Sequence, residues 1–253
     1  MNKQNTVNLF GIPVEALTMS ETLDLVDAAI QNRQPLQIGV INAAKVVNMD
    51  KDPSLREAVL SSDIILADGA AVVWASRLLG TPLPERVAGI DIMFGMFERG
   101  NERGYRVYCL GATEEVSQII ERNLARDYPG LTLAGRHHGY YSEAEAQSIA
   151  DDVRDSKADI LLVAMTSPKK ERFLAKWMAH MDVPVCHGVG GSFDVYAGLV
   201  ERAPESWQKL GLEWLYRVKQ EPGRLWKRYF FTNISFIWMM IKALFGFKRA
   251  EPA

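Results

Sequence analysis

Short apolar runs rich in β-branched residues alternate with longer stretches of helical period through the first two hundred residues of the chain. The runs at 7–10, 36–41, 63–67, 105–110, 131–134, 160–165 and 183–188 predict strands. The stretches at 20–30, 43–50, 70–79, 114–127, 143–156, 169–180 and 192–197 predict helices or helical turns. Strands separated by helical segments are the pattern of βαβ units, which predicts an α/β fold with a doubly wound, mostly parallel sheet. No internal repeat, low-complexity tract or flexible linker interrupts 1–201, so a single core is expected there.

The pattern changes after Arg202-Ala203-Pro204. Tryptophans (Trp207, Trp214, Trp226, Trp238) and basic residues replace the alternation, and 202–253 reads as a helical appendage. Its last part, 229–247, is strongly apolar and flanked by Arg224, Lys227 and Arg228 on one side and Lys248 and Arg249 on the other. A span needs roughly 20 predominantly apolar residues. This stretch barely reaches that length and contains Thr232, Asn233, Ser235 and Lys242, so a helix lying in the membrane interface is expected rather than one crossing it. The same apolar surface could instead be a subunit interface in a homo-oligomer.

Charge sharpens this division. The whole chain carries a formal −2, yet from Arg202 onward ten Lys/Arg face four Asp/Glu, so the appendage is +6 and the rest about −8. A basic segment of this kind suits an anionic partner. Nucleic acid would call for solvated cations interleaved with aromatics, and the continuous apolar run favours lipid instead. Cys109 and Cys186 each fall inside an apolar run and read as small core hydrophobes. The N-terminal residues lack the apolar centre of a signal peptide, which points to a cytoplasmic protein held peripherally at the inner membrane.

In doubly wound sheets, ligands collect at the carboxyl ends of the strands, where helix N-termini offer unpaired N–H groups to anions. Asn42 follows the second run, either as a helix cap or as a pocket amide. Asp68-Gly69 follows the third, either as a cap or as a chemically active carboxylate. Gly111-Ala112-Thr113 opens the helix after the fourth and could seat a diphosphate. Thr166-Ser167-Pro168-Lys169-Lys170-Glu171 gathers hydroxyls and two lysines at a helix start, which suits an anion. Neither Gly111-Ala112 nor Gly188-Val189-Gly190-Gly191-Ser192-Phe193-Asp194 completes the dinucleotide fingerprint. A nicotinamide epimerase or dehydrogenase is further disfavoured because Tyr105 and Tyr108 have no Lys four residues on. Asp50-Lys51-Asp52 follows a helix rather than a strand and continues into Pro53, so it reads as an exposed turn, and His137-His138 lacks further ligands at metal spacing. No metal and no cofactor is expected.

One ordered set is more specific: Asp68-Gly69, Arg86-x-x-Gly89-x-Asp91, Gly111-Ala112, Tyr128-Pro129-Gly130, Pro168-x-x-Glu171, Gly188-x-Gly190-Gly191-x-Phe193-Asp194, Arg202-Ala203-Pro204, 211–217 (Gly-Leu-Glu-Trp-Leu-Tyr-Arg) and Glu221-Pro222-x-Arg224. With these motifs in this order the chain resembles the WecG/TagA/CpsF glycosyltransferase family, from about Val7 to Arg228. The resemblance implies a Rossmann-like core and inverting, metal-independent transfer from a UDP-sugar to a polyprenyl-diphosphate-linked acceptor in bacterial surface-polysaccharide synthesis. The sugar would be N-acetylmannosamine, its uronic acid or glucose.

It also implies roles. Asp68 would be the base and Asn42 a neighbour in the same pocket. Gly111, Ala112, Thr113, Lys170, Glu171, Gly190, Gly191 and Asp194 would hold the donor. Arg86 would meet diphosphate or acceptor. The appendage would bring Arg217, Arg224 and Arg228 to the site and touch the inner face of the cytoplasmic membrane. The chain departs from the family's Gly-x-Pro-x-Gln-Glu at Thr166 and Lys170, which leaves the donor sugar open between those three. A non-catalytic nucleotide-sugar or lipid-binding module is the competing reading, and it would not need the carboxylate at 68.

Overall fold

The computed structural model describes residues 6–245, apart from the Arg224 side chain. Six parallel strands form its centre: β3 (Leu36–Ile41), β4 (Ile64–Ala67), β5 (Arg106–Gly111), β6 (Thr132–His137), β7 (Ile160–Ala164) and β8 (Val185–Gly188). Their order across the sheet is β4-β3-β8-β7-β5-β6. The first strands, β1 (Thr6–Leu9) and β2 (Ile12–Glu15), make a separate antiparallel hairpin beside β4.

The inner strands are buried on both faces, as a parallel sheet covered by helices requires. One face, with Ile38, Leu66, Cys109, Leu162 and Val185, packs against α1 (Met19–Asn32), α5 (Gly89–Arg103) and α6 (Glu114–Asp127). The alternate residues face the other way. Ile65 and Ala67 meet α2 (Ala43–Lys51), α3 (Pro53–Leu60) and the hairpin, while Leu110, Leu161, Val163 and Cys186 meet α7 (Ala146–Asp155) and α8 (Lys169–Met181). Both cysteines are buried and free.

Three elements add to the sequence reading. Helix α5 contains Gly95 and Gly100, and these leave room for Leu23 and Leu131, whose side chains would lie 2.5 and 2.3 Å from an added Cβ. Helix α3 starts where an exposed turn was expected: Asp52 accepts from the Leu55 N–H at 3.1 Å and Pro53 occupies the first turn, where its missing N–H costs nothing. The hairpin turns on Phe10 and Gly11, both at positive φ (56° and 71°), as a two-residue primed turn demands.

The appendage consists of α10 (Glu205–Lys209), α11 (Glu213–Gln220) and α12 (Pro222–Leu244), preceded by the one-turn α9 (Ser192–Tyr196) of the core. Helix α12 lies along α2 and sinks Leu225, Thr232 and Phe236, with the Phe236 ring 5.5 Å from that of Phe10. No helix among the described residues is long and apolar enough to cross a membrane.

Candidate functional site

The β3–β4 ladder puts Ile41 opposite Ala67, so Asn42 and Asp68 leave the sheet side by side. The Asp68 N–H donates to the Ile41 carbonyl at 2.8 Å. Gly69 allows this closeness, since a Cβ there would stand 3.2 Å from that of Asn42. The two residues then differ. Asn42 caps α2, its Oδ1 accepting from the Lys45 N–H at 3.0 Å. Asp68 does not cap the helix that follows it: Gly69 is the N-cap of α4 (Ala70–Leu78), and Asp68 Oδ1 instead accepts from the Gly89 N–H at 3.3 Å, at the start of α5. Desolvation raises its pKa from 3.8 to about 6, against the opposing pull of Arg86 and the Gly89 N–H. The half-buried carboxylate is therefore ionised at neutral pH and can take up a proton near it.

Behind Gly89 lies His187, wholly buried on β8, with Nδ1 3.2 Å from the Ile38 carbonyl and Nε2 3.1 Å from that of Gly89. Burial pushes its pKa down to about 4, despite the two carbonyls. As a neutral ring it carries one N–H and donates to only one of these two carbonyls, packing between β3 and the start of α5. Nothing in the apolar run around it marks it in the sequence.

The two lysines at the start of α8 separate. Lys169 turns outward, donating to the Gly139 carbonyl at 2.8 Å and lying 3.9 Å from the Tyr141 ring centre. Lys170 turns inward, filling the space left by Gly188 and Gly190, where an added Cβ would meet its Cδ at 3.1 Å and its Nζ at 3.5 Å. Burial lowers its pKa to about 8, with nearby Lys45 acting in the same direction. Glu171 is buried too; burial opposes its ionisation, but Lys45 and Lys170 outweigh this and hold its carboxyl below the usual range. Its Oε1 takes Lys45 at 2.9 Å and stands 3.9 Å from Lys170. Two cations share one carboxylate, which leaves the Lys170 end positive.

The appendage closes the other side. Arg86 pairs with Glu213 on α11 and with Asp91 on α5 at 3.3 Å, and Arg202 pairs with the same Asp91 at 2.6 Å. This network ties core to appendage through residues that the sequence motifs contain but whose mutual pairing their spacing does not reveal. Gly211 completes the seam at φ 69°, where a Cβ would lie 2.5 Å from Ala70 Cβ and 3.2 Å from Trp74.

Between the two sides is a cavity of about 560 Å³. It brings together Asn42, Asp68, Arg86, Lys170, Gly190, Gly191, Arg217 and Arg228 from the expected set, and adds Lys45 and Glu213. Among the described residues neither Arg217 nor Arg228 pairs with a carboxylate. Arg224 stands in the first turn of α12, its side chain outside the described residues. Glu171 lies behind the cavity wall. Asp194, half-buried on α9, stands just beyond the wall, its Oδ2 3.7 Å from where a Cβ of Gly191 would be.

Gly111, Ala112 and Thr113 are not on the wall either. They sit at the β5–β7 crevice, where the Ala112 N–H is taken by the Ala164 carbonyl at 2.9 Å and the Thr113 hydroxyl caps α6 through the Val116 N–H at 3.2 Å. Gly111 must be glycine, since its φ is 130° and a Cβ would fall 2.3 Å from the Ala164 carbonyl oxygen. Among the described residues no group of three or more His, Cys, Asp or Glu is placed to hold a metal.

The chain is 40% identical over 174 residues to a Bacillus spizizenii protein named N-acetylglucosaminyldiphosphoundecaprenol N-acetyl-beta-D-mannosaminyltransferase. That match covers 68% of this chain and 66% of the relative, just under two thirds of its length. The family model for glycosyl transferases of the WecG/TagA/CpsF type matches residues 7–250, nearly the whole chain and every wall of the cavity. On this match the chain belongs to the glycosyl transferase WecG/TagA/CpsF family.

Proposed function

We propose that the protein is an inverting glycosyltransferase that moves a sugar from a UDP-sugar onto a polyprenyl-diphosphate-linked acceptor. The observation that carries this reading is the Asp68 carboxylate, set at the strand-end floor of a cavity whose wall includes Lys45, Arg86, Lys170, Arg217 and Arg228. Asp68 accepts the proton of an acceptor hydroxyl as that oxygen forms its bond to the anomeric carbon. The bond from that carbon to the diphosphate oxygen breaks on the opposite face, and UDP leaves with the electron pair. Asn42 keeps α2 capped beside the carboxylate and fixes the floor. Negative charge growing on the departing diphosphate is met by Lys170, Arg217 and Arg228 through charge-assisted contacts that need no metal.

The donor extends from this floor past Gly190 and Gly191 toward Asp194, with its nucleoside end toward the Gly111-Ala112-Thr113 crevice. Glu171 holds the two lysines in place behind it. N-acetylmannosamine is the favoured sugar because the Bacillus relative is named for it; its uronic acid and glucose are the other candidates. A non-catalytic binding module would not require a strand-end carboxylate poised near neutral pH. The outer face of α12 presents exposed Trp226, Phe230, Phe231, Ile234 and Trp238 beside Lys227, which suits peripheral attachment to the inner face of the cytoplasmic membrane.

The test is UDP release from a panel of UDP-sugars, with and without a lipid-diphosphate acceptor and with chelator present. Acceptor-dependent release from one UDP-sugar among N-acetylmannosamine, its uronic acid and glucose, unaffected by chelator, is expected. No acceptor-dependent release from any donor would sink the proposal.

A further inference from the structure

Beyond its polar floor the cavity has a second, apolar arm. Helix α4 begins beside Asp68 and leads away from it, with Ala70, Ala71, Trp74 and Leu78 on the wall. At 1.5 Å per residue, the eight steps from Ala70 to Leu78 carry that wall about 12 Å outward. Helix α12 supplies a second stripe, polar at Arg228, Tyr229 and Asn233 and apolar at Phe236, Ile237 and Met240. Trp74, Leu78 and Ile237 are 50%, 58% and 53% exposed, so the arm opens to solvent with large apolar side chains on its rim. Such surface is costly to leave wet and marks a binding site when it is contiguous.

We propose that this arm seats the first isoprenoid units of the acceptor lipid, so that the protein reads the lipid as well as the sugar. The inference rests on the acceptor class proposed above. Continuity selects the occupant: the arm runs without a break into the part of the cavity holding Arg217 and Arg228, which have no carboxylate partners among the described residues. A polyprenyl diphosphate joins a dense anion directly to branched hydrocarbon, and the arm matches both halves in that order. A nucleotide-sugar alone would leave the apolar walls bare. The bilayer face of α12 is a different stripe, since Trp226, Phe230 and Trp238 do not line the cavity.

Soluble acceptor analogues test this without vesicles or detergent: the same sugar diphosphate carried on a methyl, a citronellyl or a farnesyl group. In the native protein the acceptor KM should fall about tenfold or more from methyl to farnesyl. In Leu78→Gln and Ile237→Gln that ratio should collapse toward one, whereas Phe230→Gln, on the outer stripe, should keep it. A native ratio near one, or full retention of the ratio in both arm variants, overturns the inference. Calorimetric binding of farnesyl diphosphate against methyl diphosphate reads the same preference without turnover. Chain-length-dependent binding with no transfer to any analogue would condemn the proposed reaction and leave the lipid seat standing, and equal binding of the two diphosphates would condemn the seat.

Discussion

Asn42, Asp68 and Lys170 stand at strand ends or a helix start of the parallel-sheet core, above its clusters of buried apolar side chains. Across the same cavity, Arg217 stands on α11, which like α10 buries no residue, and Arg228 stands on α12, which packs along α2 and buries Leu225, Thr232 and Phe236. One wall is held by the sheet and its helices, and the other by an ion-pair network, one glycine seam and a single helix laid along α2. Regions with few buried apolar contacts open at lower free energy than core elements. On the proposed reaction, bond making falls to the wall that holds still and the capture of a lipid-borne substrate to the wall with fewer buried contacts.

The sharpest way to test the rigid wall is Asp68→Asn. Loss of a general base costs roughly 10²–10⁴-fold, so turnover should fall by that much while calorimetric UDP affinity is kept. The pH profile gives the sign. Because the Asp68 pKa is raised to about 6, native activity should decline as pH drops through that value, and the residual activity of the variant should show no such limb. Unchanged turnover would remove Asp68 from the mechanism.

Glu171→Gln attacks the same wall through stability. It leaves Lys45 and Lys170 facing each other with side chains only 11% exposed each. Breaking a buried pair in this way costs about 3 kcal/mol, or roughly 6–12 °C in Tm for a chain of this size. A melting curve that matched the native one would show that the lysines are not held by this carboxylate.

Gly211→Val probes the adjustable wall. The side chain meets Ala70 in a left-handed conformation that disfavours β-branched residues, a strain of about 1–3 kcal/mol. Transfer to a lipid-linked acceptor should drop about tenfold and proteolytic cleavage between 201 and 222 should quicken, while the core melts as before. If the core melted earlier and the appendage stayed protected, the contrast between the walls would be wrong. The smallest effect belongs to the outer stripe of α12. Lys227→Ala removes about 1 kcal/mol of attraction to an anionic surface, so sedimentation with anionic vesicles should weaken about fivefold at low salt.

The same contrast explains what the sequence made legible. The strands were readable because a covered parallel sheet writes continuous apolar runs, and Asp68 was readable because it ends one of them. Position alone could not decide between cap and base. What the sequence could not show is Gly89, brought to Asp68 from twenty-one residues away by the start of α5. That helix was itself unreadable as a helix, because Gly95 and Gly100 look like breakers until Leu23 and Leu131 are seen against them. Helix α3 and strand β2 were missed for related reasons, Pro53 and Pro13 masking a helix start and an isolated hairpin. At the start of α8, charge pattern placed two lysines at one anion site, and only packing against Gly188 and Gly190 sends Lys170 in and leaves Lys169 outside. Lys45 and His187 carried no signal of their own, since one follows a cap and the other hides in an apolar strand.

The parallel pairing of β3 with β4 has a further consequence. Because Ile41 lies opposite Ala67, Asn42 and Asp68 are the next residues of their strands, and the ladder acts as a ruler that sets their spacing. A slip of one residue would turn the whole of β4 inside out and carry Asp68 to the opposite face of the sheet. On the proposed mechanism, activity is in this way a check on sheet assembly: a molecule that has registered edge strand β4 wrongly against β3 does not place Asp68 in the cavity, however well the rest of it has formed.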